Sequence, residues 1–462
     1  MPSNLGLIGL GTMGKSLARN IASRGYTVSL WNRTKEKITA FVDEFGSDQF
    51  YEPSSFEDFI QSIERPRRLI VLLPAGQATE SVIRDLSEVL DPGDVVLDGA
   101  NQNFSDSQAY QEIMNAKGID LLSCGISGGE EGALKGPSMM PGGSKEAWNL
   151  FSEVLSAVAA EDFNGAACVS YMGAGGAGHY VKMVHNGIEY AEMQMLAEVY
   201  KFLRDVYHLS HEEISDIYEQ WNAGALRSFL VEISVEVLRK KEEGQDLLDL
   251  ILDKAGQKGT GRWTSQEALA LGVPTPSITG AVFMRAFSAN KTERVNLELH
   301  FDLKKLRPNM TVNEMVKHLE KALICSRIAN FEQGFALLRA ADQAYEFNLN
   351  FSEIVRVWQG GCIIRSQVLK DMHEFFLVKN ENLYFADFAQ KSLKEGYSSW
   401  KLVAQLMVEH SIPSLAINGA LTHFEASSQS RSSANFIQGL RDCFGAHSYE
   451  RVDKEGKFHS QW

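Results

Sequence analysis

Cysteine is scarce and unpatterned in this chain of 462 residues: five occur, Cys124, Cys168, Cys325, Cys362 and Cys443, with no CxxC pair and no zinc-like spacing. That argues against a disulfide scaffold or a structural zinc site and predicts reduced thiols in a cytoplasmic protein. Positive charge is in deficit too. Lysine and arginine number 45 against 59 aspartates and glutamates, a formal net charge of −14. Neither a nucleic-acid backbone nor an anionic membrane is therefore expected as main partner, and an anionic small ligand needs a local cationic pocket. Long hydrophobic runs are missing: no 18 apolar residues stand together, and the opening MPSNLGLIGLG lacks the basic and apolar regions of a signal peptide. No clustered carboxylates suggest a metal site, and none is expected. The length leaves room for two or three domains.

What is present begins at the first residues. NLGLIG reads as a strand, LGTMG as a turn and KSLARNIASRG as a helix, with Gly9, Gly11 and Gly14 in the order G-x-G-x-x-G. A tight turn, backbone approach to a pyrophosphate and close helix–strand packing each require a missing side chain. The helix N-terminus, from Thr12 and Met13, adds N–H groups and partial positive charge. A second strand, YTVSLW, leads into Asn32, Arg33 and Thr34, without the acid that an NAD site offers to ribose hydroxyls. A guanidinium matches a 2′-phosphate as a planar fork, so NADP is the expected dinucleotide.

Further strand-like runs, RLIVLLPAG (68 to 76), DVVLDGAN (94 to 101) and GIDLLSCGISGG (118 to 129), alternate with helical stretches. This predicts an α/β, Rossmann-like, doubly wound parallel sheet, whose strand ends hold the ligand. DGAN and ISGGEEGALKGPSMMPGG are then candidate substrate and nicotinamide loops. Asn101 and Ser127 would be their hydrogen-bonding groups, with Gly128 and Gly129 permitting close approach; a plain surface turn is the alternative for the second. From about 180 to 443 the alternation stops and prolines are few, which predicts a large all-helical domain. The expected division is 1 to 177, 178 to 434, and a tail from 435 to 462. EISDIYEQWNAGALRSFL (213 to 230) and EIVRVWQGGCIIRSQVL (353 to 369) share an acid-led apolar stretch, a Trp, a Gly and Arg-Ser, a faint internal repeat.

GHYVKMVHNGIEYAEM (178 to 193) gathers Lys182, His185, Asn186 and Glu189 on one side of a helix, opposite Val181, Val184, Ile188 and Ala191. For an isolated amphipathic helix, the expectation is a solvated polar face. In KAGQKGTGRWT (254 to 264), Lys258 and Thr260 stand among glycines, either as a phosphate grip or as a flexible surface loop. Arg285 lies in the apolar stretch AVFMRAFS, where a charge is paired internally or faces a ligand. The last twenty residues contain Phe444, Tyr449, Phe458 and Trp462. Disordered ends are poor in aromatics, so the tail is expected to dock.

Taken together, GLIGLGTMG, SGGEEGALKGPSMMPGG, GHYVKMVHNGIEY, AGQKGTGRWT, GGCIIRS and RDCFGAH resemble the motifs of the decarboxylating 6-phosphogluconate dehydrogenase family, and the similarity runs to Trp462. The resemblance implies NADP-dependent oxidative decarboxylation of 6-phosphogluconate to ribulose 5-phosphate, without a metal. It implies Lys182 as general base and Glu189 as general acid. Asn101, Ser127, Gly128, Gly129, His185, Asn186, Tyr190, Lys258, Thr260 and Arg285 would meet the substrate. Arg441 and His447 would reach the partner subunit's site in a homodimer with shared active sites. Gly9, Gly11, Thr12, Met13, Gly14, Asn32, Arg33, Thr34 and Asn101 would hold NADP. Alanine is common in the family where Gly11 stands, lysine where Pro74 stands, glycine where Ala100 stands and an aromatic where Cys443 stands. A 3-hydroxyisobutyrate-type dehydrogenase would share the glycine turn and the lysine helix, but generally lacks the second helical half and the RDxFGAH tail. A non-catalytic NADP-binding protein on the same fold would have no need of both Lys182 and Glu189.

Overall fold

A computed structural model describes residues 2–46, 48–301 and 309–462. The chain starts with β1 (Leu5–Ile8), β2 (Val28–Trp31), β3 (Phe50–Tyr51), β4 (Arg68–Val71), β5 (Val95–Asp98), β6 (Asp120–Ser127) and β7 (Ser138–Gly142). They form one sheet in the order β3-β2-β1-β4-β5-β6-β7. The first six run parallel, as the helical crossovers between them require, and β7 folds back antiparallel with Ser138 opposite Ser127. Helices cover both faces, which is why the strands read as near-continuous Leu, Val and Ile. Leu17, Ile21, Phe151 and Val154 pack on one side, and Phe59, Ile83, Leu86 and Met114 on the other.

The stretch SGGEEGALKGPSMMPGG differs from its sequence reading as a loop. Gly129–Lys135 is a helix and Ser138–Gly142 a strand. Pro and Gly are poor strand formers, so local preference hides β7; it is held by its ladder with β6 and by the bond from Ser138 N to Gly361 O, 2.9 Å.

The 30-residue helix Ala177–Val206 leaves the sheet and enters a helical domain, where it packs on the 34-residue helix Val312–Tyr345. Arg327 of the second helix donates through Nε to Glu192 of the first at 2.9 Å and also reaches Leu226 O and Ser228 Oγ, so each guanidinium nitrogen of this buried ion pair has an acceptor. A two-residue hairpin, Lys241–Glu242 with Gln245–Asp246, interrupts the helices. Among the described residues no helix is long and apolar enough to cross a membrane.

The faint repeat has a spatial counterpart. Each copy forms a helix and a turn that leads into a second helix: His211–Asn222 into Phe229–Arg239, and Phe351–Val357 into Val368–Phe376. Trp221 and Trp358 are both buried, and the copies meet at their shared Arg-Ser. Ser228 bridges Ser366, Phe229 N donates to Arg365 O and Gln367 N to Arg227 O, both at 2.9 Å.

The tail comprises the helix Ala434–Gly445 and a hairpin of Tyr449–Glu450 with Lys457–Phe458. Its apolar groups point outward, Phe436 being 70% and Phe444 75% exposed.

Candidate active site

The polar face of the helix Ala177–Val206 is buried rather than solvated, because the sheet and the second repeat close over it. Lys182 is 7% exposed and His185 fully buried. Lys182 Nζ donates to Asn186 Oδ1 at 2.7 Å and lies 3.3 Å from His185 Nδ1. His185 Nδ1 is 3.0 Å from the same Asn186 oxygen, its Nε2 is 3.3 Å from Ser127 Oγ, and Asn186 Nδ2 donates to Thr260 Oγ1 at 3.1 Å. A neutral His185 with its proton on Nδ1 satisfies this network: the Asn186 oxygen accepts twice and the Ser127 hydroxyl donates to Nε2. Trp358 stands edge-on to the imidazole, ring centroids 5.7 Å apart. Glu189 Oε2 lies 3.9 Å from His185 Nδ1, one turn further along.

Burial sets the protonation chemistry here. It lowers the Lys182 ammonium below its usual range, against the opposing pull of Glu189 and Cys362. It raises the Glu189 carboxyl, against Lys182 and Arg285, and drives His185 well below the ordinary histidine value. An amine pushed toward neutrality beside a carboxyl pushed toward protonation is a base and an acid ready for proton transfer. The lysine backbone comes this close to the sheet because residue 125 of β6 is glycine. A Cβ at Gly125 would lie 2.2 Å from Lys182 Cβ.

The other groups singled out from sequence are distributed over several elements. The Arg285 guanidinium sits 3.5 Å from the Tyr190 ring centroid and donates to Gly256 O at 2.9 Å. It therefore stacks on Tyr190 and braces the 254 to 264 loop. Thr260 opens the helix Thr260–Ala270 behind Gly259, and Lys258 is exposed just ahead of it. Gly128 backs onto the Gly361 carbonyl and Gly129 starts the helix Gly129–Lys135. Arg441 and His447 find their partners inside the tail: Arg441 donates to Gln438 Oε1 and His447 stands edge-on to Phe444.

At the same carboxyl end of the parallel strands, beyond β1, Gly9 has φ +106°, and a Cβ at Gly14 would lie 1.9 Å from the Gly9 carbonyl oxygen, so the turn and the helix Thr12–Ser23 close only without side chains. Gly11 faces open space, and Thr12 and Met13 form the first helical turn. Asn32 Oδ1 accepts from Leu10 N at 3.1 Å and its Nδ2 donates to Thr34 O at 3.0 Å, fastening the glycine turn to the end of β2. Arg33 and Thr34 are exposed there, and Asn101 is exposed beyond β5. An open cradle of backbone N–H groups with a free-standing guanidinium nearby fits a phosphorylated dinucleotide. Ala100 is buried, its N–H donating to Asp98 Oδ1 at 3.0 Å.

Gly125, Trp358, Gly361 and Cys362 were not assigned to the site from sequence. Gly125 carried a usable signal, an isolated glycine inside a strand pattern, which marks close approach of another backbone. Among the described residues, His211, Asp246 and Asp249 alone bring three metal-capable groups together, and the His211 ring nitrogens are already engaged by Asp246 and Tyr200.

Comparison with known proteins accounts for the whole chain. The family described as NAD binding domain of 6-phosphogluconate dehydrogenase matches residues 4–173, and that described as 6-phosphogluconate dehydrogenase, C-terminal domain, matches residues 178–462. The NADP(+)-dependent, decarboxylating 6-phosphogluconate dehydrogenase of Bacillus subtilis is 43% identical, over 99% of this chain and 98% of that protein. The decarboxylating enzyme of Staphylococcus aureus is 41% identical over 100% and 99%. The solved structure of Plasmodium falciparum 6-phosphogluconate dehydrogenase, studied in apo form, with NADP+ and with 6-phosphogluconate, superimposes with a TM-score of 0.95 at 34% identity, covering 99% of this chain and all of that one. The chain belongs to the 6-phosphogluconate dehydrogenase family.

Proposed function

We propose that this chain carries out the oxidative decarboxylation of 6-phospho-D-gluconate to D-ribulose 5-phosphate and CO2, reducing NADP+ to NADPH in the oxidative pentose phosphate pathway. The names of its Bacillus subtilis and Staphylococcus aureus relatives, and the ligands of the Plasmodium falciparum protein, support this reading. The observation that carries it is the buried helix face on which Lys182 meets Asn186 and His185 with Glu189 one turn away.

When bound, NADP+ supplies the acceptor for the hydride leaving the substrate's C3. Gly9, Gly11, Thr12, Met13 and Gly14 would hold its pyrophosphate, Arg33 with Asn32 and Thr34 its 2′-phosphate, and Asn101 its nicotinamide end. Neutral Lys182 takes the C3 hydroxyl proton as the hydride departs, which its lowered pKa permits. It then returns that proton to the C3 oxygen of the 3-keto acid, so that CO2 can leave. Glu189, held protonated by burial, delivers a proton to C1 of the enediol while Lys182, neutral again, takes up the C2 hydroxyl proton to leave the ketone. Ser127, Gly128, Gly129, His185 and Asn186 hold the sugar acid, and Tyr190, Lys258, Thr260 and Arg285 hold its phosphate end.

A dianionic phosphate in a chain of net charge −14 calls for more than Lys258 and Arg285. Arg441 and His447 of the partner subunit would complete the site in a homodimer. The outward-facing Phe436 and Phe444, and Phe283 and Phe287 flanking Arg285, suit such an interface. The compartment is the cytoplasm, consistent with five free cysteines.

NADPH formation from 6-phosphogluconate by the purified protein tests the activity. Subunit complementation tests the shared site. A chain carrying Arg441→Ala and His447→Ala is mixed with a Lys182→Met chain under exchange conditions. One site of the heterodimer then carries all lesions and the other none, so activity returns from two nearly inactive parents. Exchange verified by mass without recovered activity would disprove the sharing.

A further inference from the structure

One carboxylate organises the tail. Asp442 is fully buried, although Arg441 and Cys443 beside it are exposed. Its Oδ1 accepts from Ser448 N and His459 Nδ1, both at 2.9 Å, and its Oδ2 from Ser460 N at 3.1 Å and Trp462 Nε1 at 2.9 Å. Four donors fill the acceptor sites of an ionised carboxylate. Burial pushes its pKa up, but the bonds from His459, Ser460, Trp462 and Ser448 outweigh that and hold it at about 2.

The same carboxylate fixes the turn that carries His447. Ala446 and Ser448, on either side of it, have φ of 49° and 56°, left-handed values that need external support in non-glycine residues. Ala446 N donates to the Asp442 carbonyl at 2.9 Å. Ser448 is gripped twice: its N–H donates to Asp442, and its carbonyl accepts from Gln438 Nε2 at 2.5 Å, while Gln438 Oε1 accepts from Arg441 Nη1 at 3.1 Å. Arg441 and His447 are thus tied to each other through Gln438, Ser448 and Asp442. The hairpin pairing Tyr449 with Phe458 turns the chain back so that its last residues close on the same group.

We propose that Asp442 is a positioning residue that fixes the relative placement of Arg441 and His447, with His459 and the terminal Trp462 as its latch. This rests on the reading that Arg441 and His447 serve the partner subunit's substrate site. The tail then arrives as a preassembled phosphate-binding unit, so the cost of ordering it is met within its own chain rather than at substrate binding.

The test compares full-length dimers carrying Asp442→Asn, Trp462→Phe, Arg441→Ala, and Asp442→Asn with Arg441→Ala. Steady-state kinetics with 6-phosphogluconate and NADP+ give the substrate KM, the cofactor KM and kcat of each, and native mass gives its dimer state. Asparagine offers a single acceptor oxygen to four donors, so the substrate KM should rise about tenfold, with kcat and the cofactor KM nearly unchanged. Trp462→Phe keeps an aromatic ring and removes one N–H; it should move the substrate KM in the same direction, by less. The double variant should be no worse than Arg441→Ala alone, because Asp442 acts through that residue. If Arg441→Ala raises the substrate KM while Asp442→Asn and Trp462→Phe leave it unchanged, the positioning role is refuted and the shared-site reading stands. Full additivity in the double variant also refutes it. If Arg441→Ala leaves the substrate KM unchanged, the shared-site reading fails first and takes the inference with it. Should Asp442→Asn not dimerise, Trp462→Phe decides: an intact dimer with wild-type substrate KM overturns the proposal.

Discussion

Gly125→Ala should injure catalysis more than stability. In the extended backbone of β6 an alanine is conformationally acceptable, and the loss of unfolded-state freedom alone would stabilise the fold by ~0.4–1 kcal/mol. The added methyl, however, would lie 2.2 Å from Lys182 Cβ, 2.8 Å from its Cγ and 3.0 Å from Gly178 O. Carbon atoms settle near ~3.5 Å, so the lysine must retreat by about 1.3 Å. Overpacking of this kind costs ~1–3 kcal/mol, partly offset by the entropy gain. A displacement of about 1 Å at a reacting group costs about 10²-fold in rate, roughly 2.7 kcal/mol of barrier. Thermal unfolding should therefore fall by a few degrees while kcat, followed by NADPH absorbance at saturating ligands, falls about a hundredfold. A variant with a lowered Tm and wild-type kcat would refute the idea that residue 125 sets the lysine's position.

Lys182→Met and Glu189→Gln should each lower kcat by about 10²- to 10⁴-fold with 6-phosphogluconate binding retained, as isothermal titration can check; near-normal turnover in both would remove the mechanism. The pH profile follows from the directions of the two shifts. Turnover rises as Lys182 loses its proton, at a pH lowered by burial, and falls as Glu189 loses its own, at a pH raised by burial. The expected bell in kcat contrasts with a flat profile from about pH 6 to 9, which, with chemistry rate-limiting, would count against the pair. Arg33→Glu should weaken NADP+ far more than NAD+, because an acid replaces the exposed guanidinium at the end of β2. Equal weakening of both cofactors would mean that Arg33 supports the fold instead.

The helix face of Lys182, His185, Asn186 and Glu189 was legible because shared faces follow from helical period alone. Its burial was not, since period says nothing about what covers a face. The cover comes from Gly125, Thr260 and Trp358, far apart in the chain. The alternation of apolar runs located β1, β2, β4, β5 and β6, whose residues are buried on both sides. It missed β3, two residues at the sheet edge, and β7, where Pro141 and Gly142 take strand form through pairing rather than preference. The repeat was faint because only its Trp and Arg-Ser positions do equivalent work, in the buried core and at the bridge between copies.

The helix Ala177–Val206 runs unbroken from the sheet into the helical core. At 1.5 Å per residue it spans about 45 Å, so a tilt of about 5° about its sheet end would carry its far end through about 4 Å. Lys182, about 7.5 Å from that end, would move by less than about 0.7 Å. Lys182 and His185 thus occupy the quiet end of a lever. A given tilt thus displaces Lys182 by about a sixth of what it displaces the far end of the helix.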